Sequence, residues 1–146
     1  MKGIASAVVL SVRPKYVEAI VDGSKHFEFR RSIFNLTKAQ RVFIYCTFPT
    51  KKIVASFKVG SVDKDRPEKL WERYHEHSGI EEEDFFRYFE GCEKGYAIGI
   101  SDLICFRIPI DPLELNSEFR APMSFCYLSC LDDELMRFSS KIDSYT

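Results

Sequence analysis

Residues 23–31 read Gly23-Ser24-Lys25-His26-Phe27-Glu28-Phe29-Arg30-Arg31, a run in which charged residues alternate with aromatic ones. An extended chain sends successive side chains to opposite faces. The alternation therefore predicts a strand over Lys25 to Arg31 with two unlike faces, His26, Glu28 and Arg30 on one and Lys25, Phe27, Phe29 and Arg31 on the other. Charges on a largely buried strand need partners, because an unpaired buried charge is strongly destabilising. In one reading Glu28 and Arg30 form a same-face pair that only closes the sheet. In the other, Lys25 and Arg30 project into a cleft and grip a phosphate or a base edge, with Glu28 orienting them or accepting from a base amine. Spacing alone leaves both open.

Outward from this run the periodicity is legible. On its N-terminal side Ala7 to Val12 is an apolar, β-branched strand ended by Arg13-Pro14. Tyr16, Val17, Ile20 and Val21 then repeat at helical spacing up to a stop at Gly23. On the C-terminal side, strands are predicted over Arg41 to Thr47 and Lys52 to Val62, joined by a turn at Phe48-Pro49-Thr50-Lys51. From Pro67 the period becomes helical through Leu70, Trp71 and Tyr74. A second helix follows Ser78-Gly79, with Glu81, Glu82, Glu83 and Asp84 at its positive end and Phe85, Tyr88 and Phe89 on its apolar stripe, before Gly91 closes it. Tyr96 to Ile100 and Leu103 to Ile110 are the last strands, and the tail from Tyr127 carries a helical stripe of Leu128, Leu131, Leu135 and Phe138. This order lacks βαβ alternation and predicts an α+β fold, a small mixed β-barrel with flanking helices.

The chain has 146 residues, 45% of them hydrophobic and 29% charged, with 7 Gly and 6 Pro. That is one globular domain, 1–146, able to bury about two-thirds of its unfolded surface. The net charge of −1 gives no global pull toward nucleic acid or membrane, so a polyanion site must be a local patch. No run approaches the roughly 20 apolar residues of a membrane span, and the first ten residues do not read as a signal peptide, so a cytoplasmic location is expected. Cys46, Cys92, Cys105, Cys126 and Cys130 are an odd set without C-x-x-C spacing, which predicts reduced thiols and no metal. His75 and His77 point to opposite faces of a helix and can chelate only from an extended segment. No dinucleotide, Walker, nucleophile-elbow or zincin motif is present, and no cofactor is expected.

Three ordered stretches, Leu10-Ser11-Val12-Arg13-Pro14-Lys15-Tyr16, Ile20-Val21-Asp22-Gly23-Ser24-Lys25 and Phe27-Glu28-Phe29-Arg30-Arg31, resemble the opening motif of the ASCH domain, a branch of the PUA-like superfamily. Its centre is G-x-K-x-x-E-x-R. Ile44 to Thr47 with Pro49, Leu70-Trp71, Gly79-Ile80, Tyr96 to Ile98, and Pro122 to Phe125 with Tyr127-Leu128 extend the similarity to about residues 7–128, leaving 129–146 as a C-terminal helix and tail. The resemblance implies a PUA-like barrel with a cleft that binds RNA or a nucleic-acid-derived ligand, lined by Lys25, Glu28 and Arg30, with Ser11 and Arg13 beside them. Some small bacterial members remove the acetyl group from N4-acetylcytidine with a Lys, a Thr three positions on and a downstream Glu. Here the Thr position is Glu28, and the downstream acid aligns loosely with Glu76, whose other reading is a solvated helix residue. A carboxylate cannot serve as the hydroxyl nucleophile of that chemistry, although it can activate a water with Lys25 facing the oxyanion. Ser24 carries a hydroxyl but faces away from Lys25 on an alternating strand. Other members are ribonucleases, which need a general base, a cation and an oriented 2′-hydroxyl.

Aromatic side chains near strand ends, Tyr45, Phe48, Trp71 and Phe125, are candidates for stacking on an unpaired base, with Tyr45 and Trp71 favoured for their polar handles. Phe57, Phe85, Phe89, Phe106 and Phe138 sit at core periodicity. Ser124 is a candidate ligand contact on the resemblance. Basic residues gather in the first third and acidic ones from Glu76 to Glu93, an arrangement suited to a short single strand or a nucleotide rather than a duplex. The preferred function is binding of RNA or a modified nucleoside, with a role in transcription or RNA metabolism. The alternatives are a hydrolase, either an amidohydrolase on an N-acylated nucleoside or a ribonuclease using Lys25 and Glu28 with or without Glu76, and a regulatory module that binds protein through its acidic helices.

Overall fold

The computed structural model describes residues 8–36 and 41–127. Within them the order is β1 (Val8–Val12), α1 (Pro14–Asp22), β2 (Phe27–Arg30), β3 (Arg41–Cys46), β4 (Lys52–Asp65), α2 (Pro67–Tyr74), a 3₁₀ turn (His75–His77), α3 (Glu82–Tyr88), β5 (Gly95–Ile110), α4 (Pro112–Leu115) and β6 (Phe125–Tyr127). The strands form one mixed sheet in the order β2-β5-β4-β3-β1-β6. β1 is parallel to β3, whereas β1 with β6, β2 with β5 and β3 with β4 are antiparallel. This is the mixed α+β class that the element order predicts.

The chain groups into two compact units, Met1–Pro14 with Phe34–Lys58 and Asp102–Thr146, and Lys15–Ile33 with Val59–Ser101. In the first unit β1 is buried from Val8 to Leu10, as its apolar run requires, and Val9 lies in a core with Phe43, Tyr45, Ile53, Phe106 and Ile110. The turn between β3 and β4 falls where Phe48-Pro49 predicts it. One β4 residue, Val54, is skipped in the register between Ile44 and Tyr45, a bulge, and Ile53, Ala55 and Phe57 are all buried.

In the second unit α2 begins at Pro67, whose fixed φ suits the first turn, and is tied to the end of β4 by Arg73, which donates to Asp63 (2.6 Å) and Asp65 (2.5 Å). The acidic first turn of α3 is largely engaged. Asp84 pairs with Arg87 (2.9 Å) and Lys15 (3.6 Å), and Glu83 with Arg87 (3.2 Å). Phe85 is fully buried, edge-on to Phe29 and Phe89 and tilted against Trp71, in a core completed by Leu70 and Ala97.

Four expectations change. The strand expected from Lys25 begins at Phe27, because Lys25 and His26 belong to the turn that leaves α1. The two strands expected around Ser101-Asp102 are one, since Asp102 takes a left-handed conformation (φ 48°) that short polar side chains tolerate, and the chain continues extended beyond it. α4 and β6 were not predicted, being four and three residues long and therefore too short for a periodicity. Tyr127, expected to open the tail helix, ends β6, and the rest of that helix lies outside the described residues. Phe85→Ala is expected to cost about 3–5 kcal/mol by chemical denaturation, the range for emptying a packed aromatic site. A loss under 1 kcal/mol would mean that this ring cluster is not the core of its unit.

Candidate functional site

The geometry around Lys25 starts with the end of α1. Gly23 adopts φ +91°, the left-handed cap that stops a helix, and the Lys25 amide then donates to the Ala19 carbonyl at 3.0 Å. The Ser24 hydroxyl is spent on the same carbonyl (3.3 Å) and is exposed, so it supplies no nucleophile beside Lys25. Lys25 forms a single antiparallel bridge with Ser78, and the His26 amide donates to the His77 carbonyl at 2.8 Å. The turn leaving α1 is thereby clasped to the segment leaving the 3₁₀ turn.

Lys25 is only 3% exposed. Its Nζ donates to the Ser78 carbonyl at 2.8 Å and lies 4.8 Å from the ring centre of Phe29 and 5.3 Å from that of Tyr16. Burial pushes the ammonium down from 10.5 to about 8, Glu28 opposes the change and Arg30 adds to it. Because Lys25 precedes β2, strand alternation does not set its direction, and the three charges act on one another despite the two-face expectation. Glu28 and Arg30 are both buried and paired, with Nε 3.1 Å from Oε2. The carboxylate and guanidinium thus stand together beside an ammonium held by a carbonyl and two ring faces, all in the second unit.

Ser78 and Gly79 were legible only as a helix boundary, yet they form the other half of this clasp. Gly79 has φ +61°, and a Cβ there would overlap the Cβ of Lys25 and lie 2.9 Å from its Cγ. A contact across fifty residues leaves no local trace in a sequence. Glu76 is exposed on the 3₁₀ turn, in keeping with its solvated reading.

The first unit brings together a different set. Ser11 is opposite Tyr45 in the parallel register; the Ser11 amide donates to the Ser124 carbonyl at 3.1 Å and its hydroxyl donates to the Pro122 carbonyl at 2.6 Å. Ser11, Tyr45 and Ser124 therefore sit side by side on neighbouring chain segments, and Arg13 is exposed just beyond the end of β1. Tyr45 is 5% exposed with its ring 5.6 Å from Phe119, and burial, reinforced by Asp111, raises its phenol. Its ring is core, not an open stacking face. Trp71, half-buried, packs on Phe85 (4.9 Å), Phe86 and His75. It too is mainly occupied by its neighbours.

The ASCH domain model matches residues 10–104. The chain belongs to the ASCH domain family. The match spans the stretches from Leu10 to Arg31 on which the resemblance was based. The chain is 34% identical over 122 residues to an ASCH domain-containing ribonuclease of Zymomonas mobilis, with 82% of each protein covered. It is 29% identical over 121 residues to the large ribosomal subunit protein uL22 of Ureaplasma parvum, covering 83% of this chain but 39% of that protein. The crystal structure of ASCH from Zymomonas mobilis matches this ASCH domain with a TM-score of 0.79 at 30% identity, over 93% of this chain and 94% of that one. The PUA-like α+β architecture expected from the sequence is the one adopted.

Two predictions follow from the Lys25 clasp. Gly79→Ala is expected to lose about 2 kcal/mol or more, from the positive φ and the collision with Lys25 together, seen as a lowered denaturation midpoint. Lys25→Met removes a buried charge whose displacement from 10.5 to about 8 corresponds to roughly 3 kcal/mol. With a depressed lysine pKa, the folded state binds fewer protons than the unfolded state between those values, so the wild-type chain gains stability as pH rises from about 8 toward 10.5. Below that window Lys25→Met is expected to be as stable as wild type or more so, and the advantage should shrink through it. A methionine variant that is strongly destabilised at pH 7 would show that the ammonium holds the fold.

Proposed function

We propose that this ASCH domain binds a short unpaired stretch of RNA and cleaves its phosphodiester, with Lys25, Glu28 and Arg30 as the working group. The observation that carries this reading is the burial of those three charges in one cluster, with the Lys25 ammonium brought close to neutral pH. Such clusters are weak stabilisers and frequent marks of a site. The name of the Zymomonas mobilis relative, a ribonuclease at 34% identity over most of both chains, supports the same direction.

In the proposed reaction Glu28 accepts the proton of the ribose 2′-hydroxyl as O2′ bonds to phosphorus. The P–O5′ bond breaks, and the leaving O5′ takes a proton from the Lys25 ammonium, giving a 2′,3′-cyclic phosphate and a 5′-hydroxyl. An ammonium near 8 is a better proton donor than an ordinary lysine and is still roughly nine-tenths charged at pH 7. Arg30 positions the Glu28 carboxylate. Glu76 has no part in the step; Ser11, Arg13 and Ser124 belong to the first unit and are proposed, separately from this step, as polar contacts to RNA. The amidohydrolase alternative wants a hydroxyl where Glu28 stands. The protein-docking alternative wants free acidic helices, whereas Glu83 and Asp84 are paired with basic neighbours.

Incubated with short single-stranded RNAs, the wild-type chain is expected to yield cyclic-phosphate ends, and Lys25→Ala and Glu28→Gln each to lower the rate about 10²–10⁴-fold. The rate should fall on the alkaline side near pH 8, as Lys25 loses its proton. Binding should weaken steeply between 50 and 200 mM salt, on the order of tenfold or more for a few phosphate contacts. Cleavage indifferent to both substitutions, or binding indifferent to salt, overturns the assignment.

A further inference from the structure

We propose that Phe48 is the base-stacking platform of this domain, taking one unpaired RNA base on its ring while Arg13, Lys51 and Lys52 neutralise the adjoining phosphates. The inference rests on the RNA reading above and adds the residue that selects an unpaired strand.

Phe48 is 79% exposed, and it is the one exposed phenylalanine among the described residues. It is also held in place. Its turn is closed by the Thr50 amide donating to the Thr47 carbonyl (3.2 Å) and anchored by the Thr47 amide donating to the Val12 carbonyl (3.0 Å). A ring presented by a fixed turn loses little freedom on binding, which favours a stacking role over a floppy surface residue.

The strand register supplies the charge. β1 and β3 run parallel with Val12 opposite Cys46, so Arg13 and Thr47 leave the sheet side by side. Cys46 is in turn opposite Lys52 on β4, which puts Lys52 and Lys51 at the same end. Arg13, Phe48 and Lys51 are all exposed. No Asp or Glu occurs between Glu28 and Asp63, or from Val8 to Val17, so no acidic residue of these segments offsets the three cations. An exposed aromatic ring at the same end of the sheet as three cations fits a base with its flanking phosphates. In an A-form duplex both faces of each base are already stacked, and a single ring on a turn reaches only an unpaired one.

The test is fluorescence anisotropy with a labelled single-stranded oligoribonucleotide, and with a fully abasic ribose-phosphate oligomer of the same length. Wild type is expected to prefer the base-bearing oligomer, and Phe48→Ala to weaken its binding about 5- to 150-fold, the range of one base stack. Phe48→Ala should also erase the preference over the abasic oligomer, and Phe48→Trp should keep it. The exposed position predicts an unchanged melting temperature for both variants. Wild-type binding that Phe48→Ala leaves within twofold overturns the inference while sparing the RNA reading. So does a Phe48→Ala variant that changes only the oligomeric state by sedimentation, which would assign the ring to a second copy of this chain. A wild-type chain that binds neither oligomer at low salt removes the RNA reading and this inference with it.

Discussion

The ammonium of Lys25, buried against the Ser78 carbonyl and the rings of Tyr16 and Phe29, is the constraint around which the second unit is organised. A charge cannot be placed there without fixing what surrounds it. The Gly23 cap delivers Lys25 from the end of α1, Gly79 must lack a side chain so that the lysine stem can pass, and the end of the 3₁₀ turn presents the His77 carbonyl to the His26 amide and the following Ser78 carbonyl to the Lys25 ammonium. An apolar residue would keep the amide hydrogen bonds of this turn without burying a charge, and a lone carbonyl and two ring faces replace only part of an ammonium's hydration. The depressed ammonium is the sign of that shortfall. A fold that keeps a group at a loss, beside a carboxylate and a guanidinium that are themselves buried, is better explained by what the group does than by what it holds.

How much of this the sequence carried depended on whether the cause was local. The strands of the first unit and the helices α2 and α3 follow from apolar spacing, from Pro67 and from an acidic first turn, each a property of adjacent residues. The motif from Gly23 to Arg30 was visible for the same reason, since a cap followed by alternating charge and aromatic is a local pattern. Ser78 was not visible. Its contribution is a backbone carbonyl, which every residue possesses, offered to a lysine far away in the chain. The expected strand starts two residues early, and alternation says nothing about Lys25, which is still in the preceding turn, although its ammonium does lie over the ring of Phe29, a residue expected on its face. The continuity of β5 was missed because Ser101-Asp102 looks like a break, whereas one left-handed aspartate bends the backbone without ending the strand.

The aromatic residues show the limit of composition most directly. Tyr45 and Phe48 are three positions apart at the end of β3, and a hydroxyl made Tyr45 the more attractive surface residue. Register decides otherwise. Tyr45 shares the face of Phe43, and of Val9 and Ser11 across the parallel pair, so its ring goes into the core with Ile53 and Phe106 while its strand neighbour carries the Ser11 polar contacts. Phe48, two residues past the strand in a hydrogen-bonded turn, is exposed. The more hydrophobic of the two residues is therefore the exposed one, a reversal that side-chain polarity alone cannot anticipate and that strand alternation explains once the strand's end at Cys46 is fixed.

The same attention to place resolves the near-zero net charge. The acidic residues of α3 stand at the positive end of its dipole, and two of them, Glu83 and Asp84, pair with Arg87 and Lys15, so part of their charge is offset where it sits. Arg13 beyond β1 and Lys51 and Lys52 at the start of β4 have no acidic residue in their own segments, and they gather because Val12 and Lys52 both pair with Cys46 at the end of β3. Charge that is paired along a helix cancels within a few ångströms, well inside the roughly 8–10 Å over which salt at physiological strength screens it. Charge gathered by strand register has no such partner within its own segments. A chain with a formal charge of −1 can thus present a local cationic edge without any global attraction to polyanions, which favours a short strand held by a few phosphates over a long duplex held by many.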